Sequence, residues 1–260
     1  MMEPLKAVVH LSMNRMIRSR RTVMMALLAL LPVAPALFAV VFVSLRQSIG
    51  TTGFALATDL FQALYLNFVL LAITLFFGTS LIGDELDDKT ITYLFVRPIP
   101  RATIYLGKFL SGVLIASLLI VPSAILTFAI LSTLDPASEV VSHLSIFARD
   151  ILILLLGTLV YCALYGFFGA FFKHPLLVGI IFTLVWESVI TYIPGYIHRF
   201  TVLHYLQSLL PHASGQRGIQ ELFGQPTSPF VSVITLILIG GAFLGLSCWT
   251  VARKEYVLPS

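Results

Sequence analysis

The sequence predicts an all-α polytopic membrane protein: six transmembrane helices, an N-terminal amphipathic elbow helix, and both termini in the cytoplasm. Three observations carry that prediction. First, 58% of the 260 residues are hydrophobic and only 11% are charged, with a mean hydropathy of +0.98. Soluble domains run at about 45–50% apolar and about 25% charged, so too little polar surface is left to cover a soluble globule. Second, apolar runs of the roughly 20 residues needed to cross a bilayer recur six times. Third, lysine and arginine gather on one side of those runs, as cytoplasmic loops do. A cytoplasmic enzyme, a nucleic-acid-binding module and a disordered chain are excluded. So is a disulfide scaffold, because the two cysteines, Cys162 and Cys248, sit far apart inside apolar runs.

Residues 1–21 form the elbow. At helical spacing Leu5, Val8, Val9, Met13, Met16 and Ile17 share one face, and Lys6, His10, Asn14, Arg18 and Arg21 the other. A basic amphipathic helix of this kind lies in the membrane interface. It serves either as an elbow leaning on a cytoplasmic partner or as a simple topology anchor.

The membrane domain covers residues 22–252. Its spans run from about Thr22 to Leu45, Leu60 to Ile82, Thr103 to Leu131, Ile146 to Phe172, Leu176 to Ile193 and Phe230 to Ala252. Ser19-Arg20-Arg21-Thr22-Val23 imitates a twin-arginine signal, but the run behind it is too long for a signal and five more follow. Pro32, Pro35 and Pro122 lie inside spans and read as kinks, because neighbouring helices can satisfy the carbonyls they free. Residues 253–260 are a short cytoplasmic tail.

Twelve of the sixteen basic residues fall on one side. They are Lys6, Arg15, Arg18, Arg20 and Arg21 before the first span, and Lys89, Arg97, Arg101 and Lys108 around the second-to-third connection. Lys173 lies in the fourth-to-fifth turn, and Arg253 and Lys254 in the tail. Arg46, Arg149, Arg199 and Arg217 take the other side. The outer connections 46–59 and 132–145 are modest. The outer loop 194–229 is long and carries apolar stretches (Val202 to Leu210, Ile219 to Phe223) that suggest short re-entrant helices. No G-x-x-x-x-G-K-[ST] phosphate loop occurs, so any ATP used here binds to another chain.

The inner loop 83–102 is the most informative segment. Asp84, Glu85, Asp87 and Asp88 precede Lys89, and Leu86, Ile91, Leu94 and Phe95 provide an apolar face. Acids favour a helix N-terminus and Pro98 and Pro100 end the helical register, so the pattern predicts a short helix over about 84–95 across the cytoplasmic mouth. The apolar face beside the acids argues that it docks onto something.

The pattern I-x-x-E-x-x-x-x-T-I-x-x-L-x-x-x-P-I-x-R-x-x-I-x-x-G-K stands here as Ile82, Glu85, Thr90, Ile91, Leu94, Pro98, Ile99, Arg101, Ile104, Gly107 and Lys108. It resembles the permease subunit of type-2 ABC transporters. Lys89 stands where that family commonly has glycine. The resemblance implies a coupling helix seated in a groove of a cytoplasmic ABC ATPase, with Asp84, Glu85, Asp87, Asp88, Thr90, Leu94, Arg97, Pro98, Arg101 and Lys108 around the contact. The Lys173–His174 turn would be a second, minor contact. It further implies two permeases paired with two ATPases that hold ATP and magnesium, no cofactor or catalytic residue in this chain, and an outer loop that caps the exit. Rim charges such as Glu85 would set register and association rate more than affinity.

Glu187 is the one acid well inside a span, roughly 20 Å along the fifth helix from His174. Either it faces a transport path, or it forms a structural ion pair with Arg149 or Arg199, and the general pairing of intramembrane charges favours the second. Arg149 and Asp150 read as a self-satisfied interfacial pair. A single six-span bundle has few polar groups to line a path, so a homodimer, or a pair with a similar permease, is expected. The first, second and fifth spans would meet there, offering Asn67, Thr74, Thr79 and Thr183. Alternatively these groups bond nearby carbonyls within one bundle. His198, His204 and His212 have no compact ligand spacing, and no metal site is expected.

The expected function is the permease of an ATP-driven exporter, with ATP hydrolysed by a separate subunit and an amphiphilic cargo. It would sit as a multi-pass protein in the inner or plasma membrane of a bacterium or archaeon, in contact with lipid and no nucleic acid. The alternatives are a non-transporting subunit that passes ATPase-driven force to an envelope complex and, less well supported, a multi-span membrane enzyme. No H-E-x-x-H, G-x-S-x-G or paired intramembrane aspartates support the enzyme. A secondary carrier would need several ionisable residues and inverted repeats.

Overall fold

Apolar runs without an external hydrogen-bonding partner can satisfy their backbone in a membrane only as helices or closed barrels, and this chain takes the helical route. The computed structural model describes residues 9, 11–14, 16, 19–46, 52–87, 100–190, 197–210 and 227–253, with the backbone alone at 46, 82–87, 137, 188 and 198. Among them no strand occurs. The helices are α1 (Arg20–Ala29), α2 (Val33–Arg46), α3 (Gly53–Leu60), α4 (Leu70–Asp87), α5 (Arg101–Leu131), α6 (Ala137–Phe171), α7 (Pro175–Ile181), α8 (Val202–Ser208) and α9 (Pro229–Arg253). Wider π-helical turns at Phe61–Val69 and Phe182–Val189 continue α3 into α4 and extend α7.

Among the described residues, five stretches are long and apolar enough to cross a membrane: Arg20–Leu45, Gly53–Leu81, Arg101–Leu134, Ser138–Phe171 and Pro229–Arg253. The expected fifth span is present as a shorter apolar helix, Pro175–Glu187. Through Ile190 the described helix has sixteen residues, at most about 24 Å of rise against a hydrocarbon core of about 30 Å. Its continuation, 191–196, lies outside the described residues.

The prolines act differently from one another. Around Pro32 the first span tightens into i→i−3 bonding, with Leu31 N donating to Leu28 O at 3.1 Å and Val33 N to Leu30 O at 3.0 Å. This separates α1 from α2. Pro122 is absorbed inside the 31-residue α5 without interruption. The fourth span begins earlier than its apolar run, because the polar stretch after Pro136 is already helical.

The core is built around α4 and α6, which share the most extensive contact in the bundle. Small residues let them approach. A Cβ placed on Gly78 would come within 2.6 Å of Tyr165 Cβ, and one on Gly169 within 2.8 Å of the Thr79 carbonyl oxygen. Membrane helices lack a hydrophobic force between them and rely on such close packing. Hydroxyls inside the core are spent on backbone: Thr74 donates to Leu70 O at 2.6 Å, Thr79 to Leu75 O at 2.7 Å and Thr158 to Leu154 O at 2.7 Å. Tyr65 bridges spans, with its hydroxyl 2.8 Å from both Ser123 and Thr127, and Ser123 donates on to the Ala29 carbonyl.

Candidate functional site

Two polar constellations stand out, one at each end of the bundle. At one end α4 does not stop at the apolar boundary but runs on to Asp87. Asp84, Glu85 and Asp87 therefore belong to its last turns. The expected new helix starting near residue 84 does not begin there, because these residues continue the span. The dipole that acids were expected to meet at an N-terminus is reversed at this C-terminal end. The remainder of that expected helix, with Asp88, Thr90, Leu94, Arg97 and Pro98, lies outside the described residues.

Arg101 opens α5, exposed, behind Pro100. Lys108 lies two turns further on and is only 9% exposed. Its Nζ donates to the Leu81 carbonyl at 3.0 Å, so it faces α4. Ser111, on the same side of α5, donates to Val9 O at 3.2 Å and to Gly107 O at 2.9 Å. The described residues 9, 11–14 and 16 are helical, and Val9 meets the foot of the third span through this contact. Lys173 and His174 are exposed in the tight turn between α6 and α7.

At the opposite end the central element is the short helix α8. Its Val202, Leu203 and Leu206 are buried against α9 and the Phe61–Val69 turns. Thr201 caps it by accepting the His204 amide at 3.3 Å. Glu187, fully buried on the π-helical stretch after α7, accepts the Val202 amide at 3.2 Å and the Leu203 amide at 3.1 Å. A carboxylate at a helix N-terminus satisfies orphan donors and meets the positive end of the dipole. The Tyr161 hydroxyl faces the same carboxylate from α6, outside full hydrogen-bond geometry. At the other end of α8, Gln207 donates to Asn67 Oδ1 at 3.3 Å, and Asn67 donates to Gln62 O at 2.9 Å within its own π-helical stretch. His204 Nε2 lies 3.0 Å from Thr227 Oγ1, and the Thr227 amide donates to Ser208 at 3.3 Å.

The polar residues expected in the spans thus divide. Asn67 and Glu187 converge on α8 from two different spans, and both sit on π-helical turns, which occur frequently at functional sites. Arg149 is exposed on α6 while its neighbour Asp150 is 3% exposed. Adjacent helix positions do not face each other, so these two are not the interfacial pair expected. Asp150 lines a crevice between α3, α5 and α6 with Phe54, Phe61, Phe128 and Phe147. Arg199 is exposed on the 3-10 turn Ile197–Phe200. Thr183 bonds within the chain, to Tyr165 at 2.6 Å and to Gly179 O at 2.8 Å. His212 and the side chain of His198 fall outside the described residues.

One structural feature has no signal in the sequence. Asp135 accepts the Gly53 amide at 2.7 Å and the Phe54 amide at 2.8 Å, capping α3 from the third-to-fourth connection. It repeats the Glu187 arrangement, a carboxylate across two consecutive N-terminal amides. Thr52, which also caps α3 by accepting from Ala55 at 3.2 Å, was a readable signal for the helix start, but not for its distant partner.

A family model described as ABC-2 family transporter protein matches residues 6–255. No curated protein matches the chain.

Proposed function

This chain belongs to the ABC-2 transporter family, a permease subunit of an ABC transporter, and on that premise we propose that it is the permease of an exporter moving an amphiphilic cargo. Membership implies a multi-pass membrane protein that associates with an ABC ATPase and is not itself the hydrolysing subunit. Two permease copies pair with two ATPases in the inner membrane of a bacterial or archaeal cell, termini inward. ATP and magnesium bind in the ATPase. Its closure pushes the loop 83–102 and, to a lesser degree, the Lys173–His174 turn. The spans behind them rock, and a path opens outward past α8. A laterally accessible apolar path suits an amphiphile.

The observation that carries this reading is the family match over residues 6–255, nearly the whole chain. The test is affinity purification of the full chain from its native membrane. An ABC ATPase should accompany it, with hydrolysis that responds to reconstitution in bilayer. An active chain purified without any ATPase rules the proposal out.

A further inference from the structure

We propose that Lys108 is a positioning residue that closes the base of the inner loop, so that a push on residues 83–100 reaches the bundle as one body. The inference rests on the reading of that loop as the ATPase contact, and moves Lys108 from the contact surface to the transmission behind it.

The loop leaves the membrane from the end of the second span and returns through the foot of α5. Without a tie between those two feet it would act as a hinge, and a push on it would splay them. Lys108 supplies the tie. It sits in the second turn of α5, nearly buried, with its ammonium 3.0 Å from the carbonyl oxygen of Leu81, the last residue of the second membrane stretch. An ionised donor makes the stronger class of hydrogen bond, and it is made here to a carbonyl of α4 six residues before that helix ends at Asp87.

Leu81 is fixed by more than this bond. Its side chain is 2% exposed and seats against two glycines. A Cβ on Gly112 of α5 would lie 2.9 Å from Leu81 Cδ2, and one on Gly166 of α6 3.3 Å from Leu81 Cδ1. Tyr105, one turn before Lys108, occupies the same Gly166 socket, where a Cβ would lie 2.5 Å from its hydroxyl oxygen. Ser111, one turn after, takes the Val9 carbonyl of the elbow at 3.2 Å. One face of α5 therefore gathers the second span, the fourth span and the elbow at a single level next to the loop. Lys108 makes the bond in that cluster that fastens the strand of chain entering the loop to the strand leaving it.

The test uses the full chain in nanodiscs with the ABC ATPase that co-purifies with it. Hydrogen exchange of the α8 amides is followed with and without ATP plus vanadate. In Lys108→Met, complex formation and basal hydrolysis should persist while the nucleotide-dependent change at α8 falls about tenfold, the weight of one charge-assisted hydrogen bond. Lys108→Arg should restore it. An unchanged α8 response in Lys108→Met overturns the proposal. So does a folded Lys108→Met chain that no longer binds the ATPase, because Lys108 would then belong to the contact itself. If Lys108→Met fails to fold, Lys108→Gln is read by the same criteria, and failure of both to fold makes Lys108 a folding residue and overturns the proposal. A wild-type chain that brings down no ATPase refutes the permease reading instead.

Discussion

The Glu187 carboxylate accepts the amide of Leu203 at 3.1 Å and that of Val202 beside it, across sixteen residues of chain. A buried acid at the end of the Pro175–Glu187 apolar helix is thus anchored by the N-terminus of a short helix. Glu187→Ala should leave two buried amides open and cost about 2–4 kcal/mol. Glu187→Gln, which keeps one acceptor oxygen, should lose roughly half as much. Thermal unfolding in detergent with both variants measures this. Wild-type stability in Glu187→Ala would show that the amides find other partners.

Asp135 performs the same task for α3, so Asp135→Ala should destabilise by about 1–2 kcal/mol, the usual worth of a helix N-cap. Asp135→Asn should recover much of that. Protease sensitivity of the 46–59 connection in intact vesicles is the check, with increased cleavage expected for Asp135→Ala alone. Equal cleavage in both variants and wild type contradicts the capping role.

Gly169 and Gly241 should respond differently to the same substitution. A methyl on Gly169 meets the Thr79 backbone oxygen at 2.8 Å, whereas one on Gly241 meets nothing within 4 Å. Gly169→Ala should cost about 1–3 kcal/mol through overpacking of α4 against α6. Gly241→Ala should be neutral or gain up to about 1 kcal/mol of helix propensity. Detergent unfolding curves for the pair decide it, and similar losses at both sites would contradict the packing described.

Two permease copies are expected per complex. Much of α1, α2 and the Pro175–Glu187 helix presents apolar side chains outward: Val23, Met24, Leu27, Phe38 and Val41 on the first span, Leu177, Ile181, Leu184 and Val185 on the other. Native mass measurement of the detergent complex reads the stoichiometry. A fully active complex holding one copy and no second permease contradicts the expectation.

The long apolar helices were legible because composition alone fixes them. Thr103–Leu131 was expected where Arg101–Leu131 forms, and Phe230–Ala252 where Pro229–Arg253 forms. The fourth helix was read short because Ser138, Glu139, Ser142 and His143 are polar, and polarity outside the membrane does not prevent a helix from continuing past it. The π-helical turns left no mark, since an apolar run has no periodicity to betray a wider turn. Among site residues, Glu187 and Asn67 were recognisable as costly polar groups in spans. Their shared partner was not, because α8 lies far along the chain and its amides carry no side-chain signal. Lys108 was visible as part of a motif, but the carbonyl it binds is backbone and could not be read.

Whether this chain works as the membrane half of an ATP-driven pump is tested most directly by one measurement. Purified with its native partners and reconstituted in vesicles, the chain should be accompanied by an ABC ATPase whose hydrolysis is lost from coupling, though not from the complex, in Arg101→Ala. An intact preparation with no ATPase, or one whose ATPase-coupled activity is indifferent both to Arg101→Ala and to Glu85→Ala, would contradict it.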